Sequence, residues 1–420
     1  MSEFSRTTRS SSSSSSYSTD SSGSSNATSD LKSIESDHNI REETEQSILR
    51  LTANDPTLTK LRVDCASLLS SSSKSRSRLL VEFTKALAKH SSLEKLILSF
   101  KCVPKQEVKM VLEALKHNTS VKSLEILDAM IDRDVANVFG RTTLEKAKFQ
   151  RLCLVNCNFK GSGLAVFAMG LQHCTTLQHI AVESTNLGGY AADVISACLP
   201  LLKLKSLRLQ NTGLSPEGLE FLGECVAQTP SLISLDLSEN QILSQDPHCL
   251  SQLTGSCFER TSPDRFVLKG CGLDRSSLAA MSTAMDLVAP LHLLTLDLSG
   301  NNFADGKSCR LLQEILSTHN SITTLIVDEC GIHEDRLPPI HDALRYNNSF
   351  LKNVFTSKVS LAILDSLDML GTTSEQVVAK ISSPREDRKA YGEEEGYEEQ
   401  EEQASAVSGN IRHDDTMGSF

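Results

Sequence analysis

The fold of this 420-residue chain turns on one stretch: Leu232-Ile233-Ser234-Leu235-Asp236-Leu237-Ser238-Glu239-Asn240-Gln241-Ile242. Leu235 and Leu237 are two residues apart. In an extended segment both point to one side, while Ser234, Asp236 and Ser238 point to the other. Leu232 and Ile242 carry the apolar set beyond the strand, and the amide side chain of Asn240 is suited to bond the backbone of adjoining turns. One such strand cannot bury its own apolar row. It needs a like neighbour on each side.

Those neighbours recur along the chain. With the first apolar position as anchor, matches begin at Leu58, Leu93, Val121, Phe149, Leu177, Leu204, Leu232, Pro263, Leu293, Ile322 and Phe350. The spacings are 35, 28, 28, 28, 27, 28, 31, 30, 29 and 28 residues. The shared pattern, L-x-x-L-x-L-x-x-N/C-x-L, is that of a leucine-rich repeat. The ninth position holds Asn240 and Asn301 in two repeats, Cys157, Cys271 and Cys330 in three, and Thr185 and Thr212 in two. With its period near 28, the pattern resembles the long, ribonuclease-inhibitor type of repeat over residues 50–358. That resemblance implies an α/β solenoid, a horseshoe of about eleven repeats with a parallel sheet on the concave face and helices on the convex one. Ala66, Lys101 and Ala129 depart from the ninth-position rule, and Pro263 replaces an anchor Leu.

Composition narrows the function classes. The net charge is −11, so bulk electrostatics do not favour nucleic acid. Aromatic residues make up 5% and Trp is absent, which leaves few platforms for stacking bases. The twelve Cys include no C-x-x-C pair, and several fall at repeat positions or in the helical segments (Cys174, Cys198, Cys225 and Cys309). They read as free, buried, reduced thiols, the state of a cytoplasmic or nuclear protein. There is no apolar run long enough to span a membrane and no signal-peptide core near Met1. The sequons at Asn26, Asn118 and Asn347 are then coincidental.

Residues 1–40 are expected to be a disordered tail, since Ser10 to Ser16 is an unbroken serine run with nothing apolar to offset ordering. Residues 41–358 form the solenoid, opened by an amphipathic capping helix that includes Ile48 and Leu51. Ser70 to Arg78 is expected to be a surface loop between the first strand and its helix. Ser215 and Pro216 read as the N-cap and first turn of the sixth repeat's helix, with Pro230 as its stop. Residues 359–382 read as C-terminal capping helices and 383–420 as a disordered acidic tail.

Gly306-Lys307-Ser308 looks like the end of a phosphate-binding loop, but the required upstream glycine position is Asn301. His90, His117, His173 and His319 recur just before the next anchor, as turn residues rather than a metal set. No catalytic triad can be assembled by spacing. The chain reads as a non-enzyme, without metal or cofactor.

What remains is the concave face, formed by the third, fifth and seventh residue of each repeat. Ile97, Leu127, Cys153, Val155 and Ala181 make an apolar patch where water-facing positions favour polar residues. With their charged neighbours they define a candidate partner site of Lys95, Ile97, Glu125, Leu127, Arg151, Val155, His179, Glu183 and Arg208. The Ser/Asp-rich seventh and ninth strands read as plain solvated surface. The expected function is a protein-interaction scaffold, monomeric, binding a protein and neither nucleic acid nor membrane. The alternative is a GTPase-activating protein similar to the activators of the nuclear-transport GTPase Ran, which combine this repeat with an acidic C-terminal stretch. The catalytic loop of that family finds no residue match here.

Overall fold

The computed structural model describes residues 45–69, 73–144, 148–187, 196–260, 263–288 and 293–358. The Ser-rich stretch 1–40, the expected capping helices 359–382 and the acidic stretch 383–420 lie outside the described residues. Each repeat contributes one short strand: β1 (Lys60–Asp64), β2 (Lys95–Ser99), β3 (Ser123–Leu127), β5 (Arg151–Val155), β7 (His179–Glu183), β8 (Ser206–Gln210), β9 (Ser234–Asp236), β10 (Arg265–Val267), β11 (Thr295–Asp297) and β12 (Thr324–Ile326). These ten pair in chain order, all parallel, in one sheet. Two minor strands, β4 (Met130–Ile131) and β6 (Asn158–Phe159), form a separate parallel pair.

The register is constant. Lys60 lies opposite Lys95, Lys95 opposite Ser123, Ser123 opposite Arg151 and Arg151 opposite His179, always third position to third. Alternation then sends one set of side chains inward. Leu235, Leu237, Leu296 and Leu298 are 0% exposed and belong to a continuous core between sheet and helices. Burying each such side chain contributes about 1.5–3 kcal/mol before chain entropy is subtracted.

The ninth position ties successive repeats together. Asn240 Nδ2 donates to the main-chain oxygens of Leu209 (2.6 Å) and Leu237 (2.9 Å), and its Oδ1 accepts from the Thr212 amide (3.1 Å). Asn301 does the same with Leu268, Leu298 and the Leu273 amide. Where Cys stands instead, the thiol donates to the previous repeat, as Cys330 Sγ does to Leu298 O (3.1 Å). One residue earlier, the backbone turns left-handed. Asp128, Asn156, Ser184, Asn211, Glu239, Gly270, Gly300 and Glu329 all have φ between 47° and 69°. This geometry favours Gly and Asn or Asp, because a Cβ meets the following carbonyl.

On the other side of the core, capping residues start the helices. Ser215 Oγ accepts from the Gly218 amide (3.1 Å), with Pro216 opening the helix Pro216–Ala227. Asp274 and Asp305 each accept from the amides two and three residues on. At the N-terminal end a helix over 45–52 places Ile48 and Leu51 in the core, 4% and 1% exposed. Two helices cross backbone to backbone: a Cβ built on Gly170 would lie 2.1 Å from Gly140 Cα.

Three local expectations fail. The loop expected over Ser70–Arg78 is helical from Ser73, the start of Ser73–Lys89. Lys and Arg are good helix formers, and no Gly or Pro interrupts the run. The eleventh repeat, expected from Phe350, forms no strand, since Phe350 lies within the helix Pro338–Lys358. Nothing there breaks a helix after Pro339, and Asn353 stands where a strand needs Leu. The thiols are all free, but they are not uniformly buried: Cys102 is exposed and Cys153 partly so.

Candidate interaction face

The strands deliver their outward residues as three rows, because parallel registration stacks like positions about 4.8 Å apart. The third-position row runs Lys95, Ser123, Arg151, His179, Ser206. The fifth runs Ile97, Glu125, Cys153, Ala181, Arg208, Asp236, and the seventh Ser99, Leu127, Val155, Glu183, Gln210. All nine candidate residues therefore lie on one face of adjacent strands, β2 to β8.

Their environments differ from a simple apolar patch. Ile97 is 6% exposed, against the expectation of an exposed side chain. It stands between Arg62 and Glu125, whose long aliphatic stems can lie over an apolar neighbour. Leu127, Cys153, Val155 and Ala181 are partly exposed. Leu127 lies beside Val155 and Cys153 beside Ala181, so these four make the compact apolar centre. Burial, with Glu183 and Glu125 nearby, pushes the Cys153 thiol up to about 12, so it is neutral and behaves as a small apolar group.

Charge surrounds that centre in tied pairs. Lys95 Nζ lies 3.5 Å from Glu125 Oε2. Arg208 bridges two strands, with Nη1 3.1 Å from Glu183 Oε1 and Nε 2.8 Å from Asp236 Oδ2. Arg151 is exposed and has no carboxylate partner among the described residues. His179 is half-buried, and burial, then Arg151 and Lys205, hold its pKa below the usual histidine value.

The Ser/Asp-rich strands are not plain solvated surface. Asp236, Ser238, Asp297 and Ser299 are buried at 9%, 4%, 8% and 5% exposure. Asp236 Oδ1 accepts from the Ser238 amide (3.1 Å) and hydroxyl (2.6 Å), and Asp297 does the same for Ser299. Each carboxylate fastens the strand's exit, and a nearby Arg (Arg208 at 2.8 Å, Arg265 at 3.8 Å) offsets its charge. The repeated Asp-x-Ser spacing was the available signal.

Other motifs resolve into structure. The amides of Lys307 and Ser308, which a phosphate would need, are taken by Asp305 Oδ1 at 2.9 and 3.0 Å. The four histidines divide in two: His90 and His319 are buried at 2% and 4% exposure, whereas His117 and His173 are exposed. Asn118 and Asn347 are also buried, so the folded chain shields both sequons. Among the described residues no group of His, Cys, Asp and Glu could hold a metal, and no helix is long and apolar enough to cross a membrane.

Comparison with known proteins agrees with this geometry. The family described as Leucine Rich Repeat matches residues 231–253, which contain the stretch quoted at the outset. Human NACHT, LRR and PYD domains-containing protein 5 is 23% identical over 272 residues, 59% of this chain and 21% of that protein. Pig ribonuclease inhibitor is 26% identical over 222 residues, 52% of this chain and 48% of the inhibitor. The match thus takes in about a fifth of the first relative and under half of the second. The solved leucine-rich repeat-containing protein LegL7 from Legionella pneumophila aligns with a TM-score of 0.46 at 18% identity, covering 72% of this chain and 94% of that one. With ten parallel repeat strands, the ninth-position ladder and the sequence similarity to the Leucine Rich Repeat family and to ribonuclease inhibitor, the chain is built of leucine-rich repeats of the ribonuclease-inhibitor-like kind.

Proposed function

We propose that the chain is a non-enzymatic interaction scaffold that binds a protein partner on the open face of the sheet, between β2 and β8. The observation that carries this reading is the apolar centre of Leu127, Val155, Cys153 and Ala181, ringed by ion pairs tied at 2.8–3.5 Å. Tied pairs hold their side chains in place, so little rotamer freedom is lost when a partner covers them. An apolar centre with an Arg-containing rim is the make-up of an energetic hot spot. The free thiols are in keeping with a reducing, cytoplasmic setting.

The test is retention of partners from a lysate by the full chain and by a Leu127→Asp, Arg151→Glu double variant that melts at the wild-type temperature. Partners retained by the wild type and lost by the variant place the site on this face. Identical retention by both proteins removes the face from consideration. A small GTPase among the lost partners would favour the activator reading, to be decided by its GTP turnover with and without the chain.

A further inference from the structure

The charges on this face are not evenly neutralised, and their imbalance has a direction along the strands. At the strand-exit side every carboxylate near the apolar centre is engaged. Glu183 and Asp236 share Arg208, Glu125 is paired with Lys95, and Asp128 accepts from Asn156 Nδ2 at 2.5 Å. At the strand-entry side, Arg151 and His179 face each other in register, and Lys205 precedes Ser206, the register partner of His179. Burial, with Arg151 and Lys205 nearby, depresses the His179 pKa, so the ring is neutral and the two flanking side chains carry the positive charge of the cluster. None of the three is paired with a carboxylate among the described residues. Elsewhere on the same side Lys122 has Glu94 at 2.8 Å.

Resting on the scaffold reading above, we infer that the partner surface presents a carboxylate to Arg151, His179 and Lys205 and an apolar side chain to Leu127 and Val155, oriented along the strands in that order. Charge complementarity of this kind sets docking direction and rejects partners of the opposite polarity. A protein acid fits better than a nucleic acid. A phosphate backbone long enough to use the cluster would run on past Glu125, Glu183 and Asp236, within two strands of it. There Lys95 and Arg208 are already committed to those carboxylates and are not free to neutralise phosphates.

The probe is a library of random dodecapeptides selected on the full-length chain, with a single-stranded RNA oligonucleotide as the second ligand. Selected peptides should carry Asp or Glu a few residues from Leu, Ile or Phe. They should bind Arg151→Glu/Lys205→Glu about tenfold or more weakly, and Leu127→Asp/Val155→Asp similarly weakly, with both variants melting like wild type. Peptides that lose Leu127→Asp/Val155→Asp but tolerate the charge reversal would overturn the carboxylate assignment and leave the scaffold reading standing. Peptides indifferent to both variants, or no enrichment at all, would overturn the inference, and indifference to both would remove the face as well. RNA binding that displaces the peptides and is lost on charge reversal would also overturn it, in favour of a polyanion.

Discussion

The amide side chain of Asn118 donates to the main-chain oxygen of His90 at 3.0 Å, and the two residues do the same work in successive repeats. His90 Nδ1 accepts from the amides of Ser92 (3.3 Å) and Leu93 (3.1 Å). Asn118 Oδ1 accepts from those of Ser120 and Val121, both at 2.9 Å. His319 and Asn347 stand three residues ahead of Ile322 and Phe350 but bond differently. His319 Nε2 meets Asp286 at 3.1 Å, and Asn347, inside the helix Pro338–Lys358, donates to the main-chain oxygens of Leu316 and Ile322. In the repeats of His90 and Asn118 the position is a buried polar clasp for the helix-to-strand turn.

A pH dependence follows. His90 Nδ1 accepts from the backbone, and burial lowers the His90 pKa, only partly opposed by Asp55, so the ring is held neutral. Burial also lowers that of His319, only partly opposed by Asp286 at 3.1 Å. A histidine with a lowered folded pKa binds more protons when unfolded, so stability rises with pH across the gap between the two values. Thermal stability should be full above the ordinary histidine value of about 6.5 and decline as pH falls below it. His90→Asn keeps the acceptor and removes the titration. Melting curves from pH 7.5 to 5 should show a shallower decline for this variant, and an unchanged slope would count against the clasp.

Core register is tested at Leu235, 0% exposed. Leu235→Ala should cost about 2–5 kcal/mol by cavity formation, seen as a lower denaturant midpoint. Unchanged unfolding would contradict the inward placement of this side chain.

Glycine substitutions separate space from conformation. Gly170→Ala puts a methyl 2.1 Å from Gly140 Cα, where backbone must move, and should destabilise by about 1–3 kcal/mol. Gly255, in the helix Pro247–Arg260, has nothing within 4 Å of a built Cβ. Gly255→Ala should therefore stabilise by about 0.5–1 kcal/mol. Equal effects from the two changes, by denaturant titration, would refute the helix crossing.

The left-handed turn offers a stabilising change. Glu329 has φ 58° and is exposed, so Glu329→Gly should raise stability by about 1 kcal/mol, and Glu329→Val should lower it. The reverse order in melting temperature would rule out left-handed backbone there.

The repeat was legible because its signal is redundant: a leucine misread at one anchor, such as Pro263, is corrected by nine others. Positions governed by a single neighbour were less legible. Ile97 alternates like an exposed residue, yet it is buried between Arg62 and Glu125, which no linear pattern reports. Asp236 and Ser238 look like solvated strand residues until the fold brings Arg208 beside them. Phe350 matches an anchor by spacing, but spacing cannot show that the chain stays helical through it. The candidate site fared in the same way. Which residues share the face follows from period two, whereas which charges are tied and which are left over depends on pairs 25 to 30 residues apart.

The unequal repeat lengths have a consequence of their own. Intervals from 27 to 35 residues leave every strand in phase with the next, so the extra residues are taken up on the helical side. The open face is therefore a fixed grid, indifferent to insertions behind it. A lineage of such proteins can exchange one recognition residue at a time, or lengthen a repeat, without re-indexing the rest of its binding surface.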